Sequence, residues 1–176
     1  MALSADGGAY LWGRNEKGAL GTGTAVNVYR AARAHLEAGV SVVGAAVGKA
    51  HTLLLSGGGE LWAAGAGSVG QLGTGRSPEA QLKWVRSAKG LPDASYDPVT
   101  AVSAGADFSV ALTRSGRVWA CGTSKDGVLG GGTNGERIVQ AGRLSYDSQV
   151  RGWGRVGGGG GGACSWQGER ARSAGR

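Results

Sequence analysis

"LSGGGELWAAGAGSVGQLGTG", residues 55–75, occurs in the chain in three related forms. It aligns without gaps on "LSADGGAYLWGRNEKGALGTG" (3–23) and on "LTRSGRVWACGTSKDGVLGGG" (112–132). Gly7, Gly59 and Gly116 share a column, as do Tyr10, Trp62 and Trp119, and Gly13, Gly65 and Gly122. So do Gly18, Gly70 and Gly127; Leu20, Leu72 and Leu129; and Gly21, Gly73 and Gly130. The copies are spaced by 52 and then 57 residues. Upstream, "VSVVGAAVGKAHTLLLS" (40–56) matches "PVTAVSAGADFSVALT" (98–113), with Gly48 over Gly105, His51 over Phe108 and Thr52 over Ser109. Agreement over so many columns at a near-fixed period marks a repeat architecture.

Composition says what each repeat is made of. Of 176 residues, 37 are Gly and only 3 are Pro. Gly inside a helix costs about 1 kcal/mol relative to Ala, so this chain is a poor helix former. Short strands joined by tight turns suit it well. "HTLLLS" and "FSVALT" are short apolar runs, each followed by a Gly-bearing turn and then by "ELWAAG" or "RVWACG". "LKWVR" (82–86) and "RIVQA" (137–141) complete the pattern. "VYRAARAHLEAG" (28–39) is helix-like in composition, but the repeat places a strand or loop there. Four short strands per unit of about 50 residues predict an all-β fold of antiparallel propeller blades, incomplete at two to three blades.

The string Gly65, Gly67, Gly70 is a G-x-G-x-x-G, which in another setting cradles a dinucleotide phosphate. That site needs a helix opening on the last Gly, and "QLGTGRSP" cannot supply one. The sister copies read "GRNEKG" and "GTSKDG", so the shared glycines belong to the repeat and not to a cofactor. "GKAHT" (48–52) lacks the first Gly and the Ser/Thr of a phosphate loop. His51 reads as a structural residue bonding between strands, with a general base as the alternative; Phe108 in its column argues against a shared catalytic role. Trp62 and Trp119 read as blade-core aromatics. Cys121, within "VWACG", reads as a buried free thiol, which favours a reducing, intracellular setting. Neither cysteine has a short-range partner, so no zinc site is predicted. No segment approaches about 18 unbroken apolar residues, so no membrane partner is predicted.

The pattern "VVGAAVGKAHTLLLSGGGELWAAGAGSVGQLGTG" (42–75), with "LWGRNEKGALGTG" (11–23), resembles the regulator-of-chromosome-condensation repeat. The resemblance covers residues 1–141, in units of about 1–23, 40–75 and 98–132. It implies blades of a seven-bladed β-propeller. It also implies a family that includes a chromatin-bound nucleotide-exchange factor for a Ras-like GTPase, a plant UV-B photoreceptor and modules of ubiquitin ligases. The photoreceptor's "G-W-R-H-T" motif meets "GKAHT" here, with Lys49 in place of Trp. Residues 142–176 are Gly/Arg-rich and read as disordered or as a degenerate fourth repeat, in which Gly161, Cys164 and Ser165 keep the spacing of Gly105, Phe108 and Ser109. The expectation is a truncated or mis-joined propeller; a fragment completed by another chain and a short open array are the alternatives.

No catalytic, cofactor or metal residues are predicted. The expected role is a non-catalytic protein-interaction scaffold that binds through inter-strand loops, since repeat folds carry recognition there. Candidate loop residues are Arg14, Asn15, Lys17, Lys49, Ser68, Asp107, Lys125 and Asp126. One alternative is guanine-nucleotide exchange on a small Ras-like GTPase. Another is chromatin or DNA contact through the tail: residues 137–176 carry a net +5 of the chain's +7.

Overall fold

Each repeat unit forms one antiparallel sheet, and the sheets stack as successive blades of a propeller. The computed structural model describes residues 1–88, 90–129 and 137–143, the last segment by its backbone. Blade 1 holds β1 (Ala2–Leu3), β2 (Ala9–Gly13) and β3 (Val28–Arg33). Blade 2 holds β4 (Val42–Val47), β5 (His51–Ser56), β6 (Leu61–Ala66) and β7 (Ala80–Arg86). Blade 3 holds β8 (Val99–Ala104), β9 (Phe108–Thr113), β10 (Val118–Thr123) and β11 (Arg137–Arg143). Strands within a blade pair in chain order. The stretch with helix-like composition is therefore strand β3 over Val28–Arg33 and loop over 34–39, within the strand or loop that the repeat allows. β11 runs to Arg143, two residues past the boundary that the sequence marks.

The blades repeat in register as well as in sequence. Tyr10 pairs with Arg33, Trp62 with Arg86, and Trp119 with Arg143. The ladder shifts next to the same glycine each time, between Leu11/Gly13, Ala63/Gly65 and Ala120/Gly122. Those three glycines have φ of 110°, 112° and 117°. A side chain on Gly65 would come within 2.6 Å of the His51 Cα, and one on Gly122 within 2.6 Å of the Phe108 Cα. Only Gly fits both the backbone angle and the close strand approach.

Each blade has a leading face toward the preceding blade and a trailing face toward the next. Alternation along a strand assigns residues to faces. Ala9, Leu11 and Leu20 of blade 1 pack against Leu54, Trp62, Ala64 and Trp84 of blade 2. Leu53, Leu55, Leu61, Ala63 and Leu72 of blade 2 pack against Val99, Val102 and Ala111 of blade 3, with Trp119 beside them. Blade 2 is thus covered on both faces, and every residue of β5 is buried. This is why "HTLLLS" is apolar without alternation. β9, the same strand in blade 3, alternates between buried and half-buried residues.

Candidate functional site

Antiparallel order fixes where the loops go. The first-to-second and third-to-fourth strand connections of a four-stranded blade lie at one end of the sheet, and the remaining turns lie at the other. In blade 2 the two connections at the first end are the turn between β4 and β5 and the loop between β6 and β7. The Ala66 amide donates to the Ala50 carbonyl across them at 2.8 Å. In blade 3 the Thr123 amide donates to the Asp107 carbonyl at 3.0 Å. The candidate loop residues of all three blades therefore converge on one end of the stack.

Contacts between blades knit this end together. Lys17 Nζ of blade 1 lies 2.7 Å from Glu79 Oε1 of blade 2, and the Lys49 amide donates to the Ala106 carbonyl of blade 3 at 3.1 Å. Arg14 pairs with Glu16 at 2.6 Å. The Arg14 hydrogen bond and charge hold the Glu16 carboxyl below the usual range, and Lys17 does the same for Glu79. The Arg14, Lys17, Lys49, Ser68, Lys125 and Asp126 side chains are exposed, while Asp107 is half-buried. Asp126 sits at φ 59° in the short 3₁₀ turn Lys125–Gly127.

Asn15 corrects the sequence reading. It is 1% exposed and cannot meet a partner. Its Nδ2 reaches Thr22 Oγ1 at 3.1 Å and the carbonyls of Thr24 and Val26 at 2.8 and 3.1 Å. Its Oδ1 accepts from the Leu20 amide at 2.8 Å. Asn15 is the staple of its own loop. Its column holds Gly67 and Ser124, also buried, and each of the three carbonyls accepts from the glycine three residues on. This settles the G-x-G-x-x-G string: Gly67 lies beneath Leu72 and Pro78 in a blade turn. Gly130, the last structural glycine of the alignment, lies outside the described residues, as do Cys164, Ser165 and nearly all of the Arg-rich tail.

His51 bonds between strands of different blades. Its Nε2 lies 2.9 Å from Ser109 Oγ, whose hydroxyl donates to the Gln71 carbonyl at 2.7 Å. Since that proton is committed, Nε2–H is the donor to Ser109. Burial pushes the His51 pKa down to about 4, against the charge of Asp107 and the backbone of Phe108. The ring lies where a side chain on Gly48 would be, and the Phe108 ring lies likewise on Gly105. A Ser–His pair of this kind has the wrong tautomer to activate the serine, and both residues are buried. Cys121 Sγ reaches the same Gln71 carbonyl at 3.5 Å, and burial pushes its thiol up to about 12. The space beside Trp119 and Cys121 has a volume of about 10 Å³, enough for one water. Among the described residues no group of three His, Cys, Asp or Glu is placed to hold a metal. No helix among them is long and apolar enough to cross a membrane.

Two features escaped the sequence reading. One is the Ser109–Gln71 half of the His51 junction. The other is the arginine paired with each blade's aromatic residue, 23, 24 and 24 residues after it. Extending the alignment to the fourth strand exposes it. In blade 2 the Arg86 guanidinium lies 5.4 Å from the Trp62 ring centroid and 2.6 Å from Glu60.

Comparison with known proteins matches this geometry. Models of the "Regulator of chromosome condensation (RCC1) repeat" match residues 6–55, 58–112 and 99–128. Human Protein RCC2 is 33% identical over 158 residues, covering 85% of this chain and 28% of that protein. The mouse Secretion-regulating guanine nucleotide exchange factor is 32% identical over 133 residues, covering 73% of this chain and 27% of that protein. Prp20p from Saccharomyces cerevisiae, described with its binding to Gsp1p and histones, superposes with a TM-score of 0.72 at 22% identity. That superposition covers 84% of this chain and 36% of Prp20p. The chain spans between a quarter and a third of the length of these two curated relatives.

Proposed function

This chain belongs to the regulator of chromosome condensation (RCC1) repeat family, and on that footing we propose that it is a non-catalytic protein-interaction scaffold. The partner lies across the loop end of the blades. The observation that carries this reading is the convergence there of Arg14, Lys17, Lys49, Ser68, Lys125 and Asp126 from three blades, with exposed side chains of both charge signs. Beneath them Asn15 holds its own loop, and the His51–Ser109–Gln71 bonds join blades 2 and 3. Mixed charge suits a protein surface with complementary patches better than it suits a polyanion.

A second reading, guanine-nucleotide exchange on a small Ras-like GTPase, is favoured by the likeness to the mouse exchange factor. Exchange also works by surface contact, without covalent chemistry on the scaffold. The Arg-rich tail supports a third, salt-dependent contact with DNA.

The test combines Arg14→Glu, Lys49→Glu and Lys125→Glu in one chain. These exposed positions tolerate reversal within about 0.5 kcal/mol of stability each. Partner recovery falls while the melting temperature holds. Unchanged recovery of the same partners defeats the loop-end reading. Nucleotide release from a panel of small GTPases separates the alternatives: acceleration that is lost in the triple variant moves the assignment to exchange.

A further inference from the structure

The loop that leads into β7 of blade 2 has lost the staple of its counterpart in blade 1. There Asn15 reaches the carbonyls of Thr24 and Val26 at 2.8 and 3.1 Å and closes the loop before β3. The spacing of 52 residues, carried on to β7, sets Gly67 over Asn15, Arg76 over Thr24 and Pro78 over Val26. Gly67 has no side chain to bond either carbonyl. The Arg76 carbonyl takes only the Thr74 hydroxyl, at 3.4 Å, and Pro78 rests against Gly67 by van der Waals contact. Between Arg76 and Pro78, Ser77 is exposed. Among the described residues its hydroxyl has no hydrogen-bond partner, and no backbone–backbone bond outside the strands ties it down.

Ser77–Pro78 is also a step that the repeat does not call for. The sister copies read Ala25–Val26 and Asn134–Gly135 in these columns, and the other prolines of the chain follow Leu91 and Asp97. A residue before proline is held extended, the form in which a peptide lies across a kinase cleft. A cleft that seats the following residue against apolar groups selects Pro, because any other residue would bury an unpaired N–H. We infer that Ser77 is a phosphoacceptor for a proline-directed serine kinase, and that its phosphate takes Lys17 of blade 1 from Glu79. Ser77 Oγ attacks the γ-phosphorus of magnesium-bound ATP. The new P–O bond replaces the bond to the β–γ bridging oxygen, ADP leaves, and the hydroxyl proton passes to the kinase's catalytic carboxylate. The phosphate then carries a charge of roughly −1.5 to −2 at pH 7 and three acceptor oxygens. Glu79, two residues on, holds Lys17 Nζ at 2.7 Å, with both side chains exposed. Such a surface pair is weakly held, so the more highly charged phosphate draws Lys17 away. Arg76, next to Ser77 in sequence, adds a second cation. The acceptor site goes beyond the scaffold role and does not depend on it.

The experiment incubates the full chain, shown to be folded by its melting transition, with magnesium ATP and a purified kinase. A mitogen-activated protein kinase and a cyclin-dependent kinase serve as the two probes, and mass spectrometry locates the phosphate. Ser77 gains a phosphate. Ser77→Ala abolishes it, and Pro78→Ala slows it by about tenfold or more. No phosphate at Ser77 with either kinase overturns the acceptor site. So does a Pro78→Ala chain phosphorylated at the wild-type rate. Phosphorus NMR of the product then follows the second ionisation of the phosphate, which ordinarily falls at about pH 6. With Lys17 beside it, the midpoint lies lower than in the phosphorylated Lys17→Ala chain, because a neighbouring cation favours the dianion. Equal midpoints in the two chains overturn the transfer of Lys17 from Glu79.

Discussion

His51 carries the heaviest consequence of any single side chain. Folded, it stays neutral, because burial holds its pKa near 4. Unfolded, it takes a proton below about 6.5. The stabilisation linked to this neutral state is complete above that pH. It is lost as pH falls from about 6.5 toward 4, up to about 3 kcal/mol. Denaturant unfolding at pH 7 and at pH 4.5 measures it, with His51→Phe as reference, since Phe108 shows that the column accepts this ring. The wild type loses more stability over the window than the variant. Equal losses would mean that His51 does not report on the junction of blades 2 and 3. The sequence made His51 legible as structural, because a Phe occupies its column. It could not show that Ser109 and Gln71 were the receiving atoms, since they come from 58 residues and one blade away and from a loop carbonyl. Asn15 was misplaced for a related reason. A polar residue in a glycine-rich loop looks solvent-facing until the carbonyls of Thr24 and Val26 fold back over it.

At the scale of the element, the repeat outweighs propensity. β3 forms from an Ala-rich stretch because its neighbour β2 needs a partner at Tyr10 and Leu11. The strands were legible because their apolar runs lie between glycine turns in three aligned copies. What alignment could not tell apart was why each glycine is required. Gly116 has φ 80° with open space around it, whereas Gly65 has φ 112° and the His51 Cα within reach of an added Cβ. Gly116→Ala therefore costs about 1 kcal/mol, the left-handed penalty alone. Gly65→Ala adds overlap with the neighbouring strand and costs about 2 kcal/mol or more beyond that. Urea midpoints of the two variants give the comparison. Equal midpoints would show that β5 moves away from Gly65 freely, contrary to the packing of Leu53, Leu54 and Leu55 on both faces.

Across the whole molecule, the blades supply a stack and gather the inter-strand loops at one end, where the proposed partner would lie. The fold class followed from counting repeats. The candidate site did not, because only antiparallel order places the β4–β5 turn beside the β6–β7 loop in blade 2 and Asp107 beside Thr123 in blade 3. The same order puts Lys17, Lys49 and Lys125 at that end, one from each blade. Amine cross-linking of the full chain to its captured partners, read by mass spectrometry, tests the scaffold assignment most directly. Partner-linked peptides centred on Lys17, Lys49 and Lys125, and lost when the loop charges are reversed, are the predicted result. Cross-links that avoid these three lysines while the partner stays bound would contradict it.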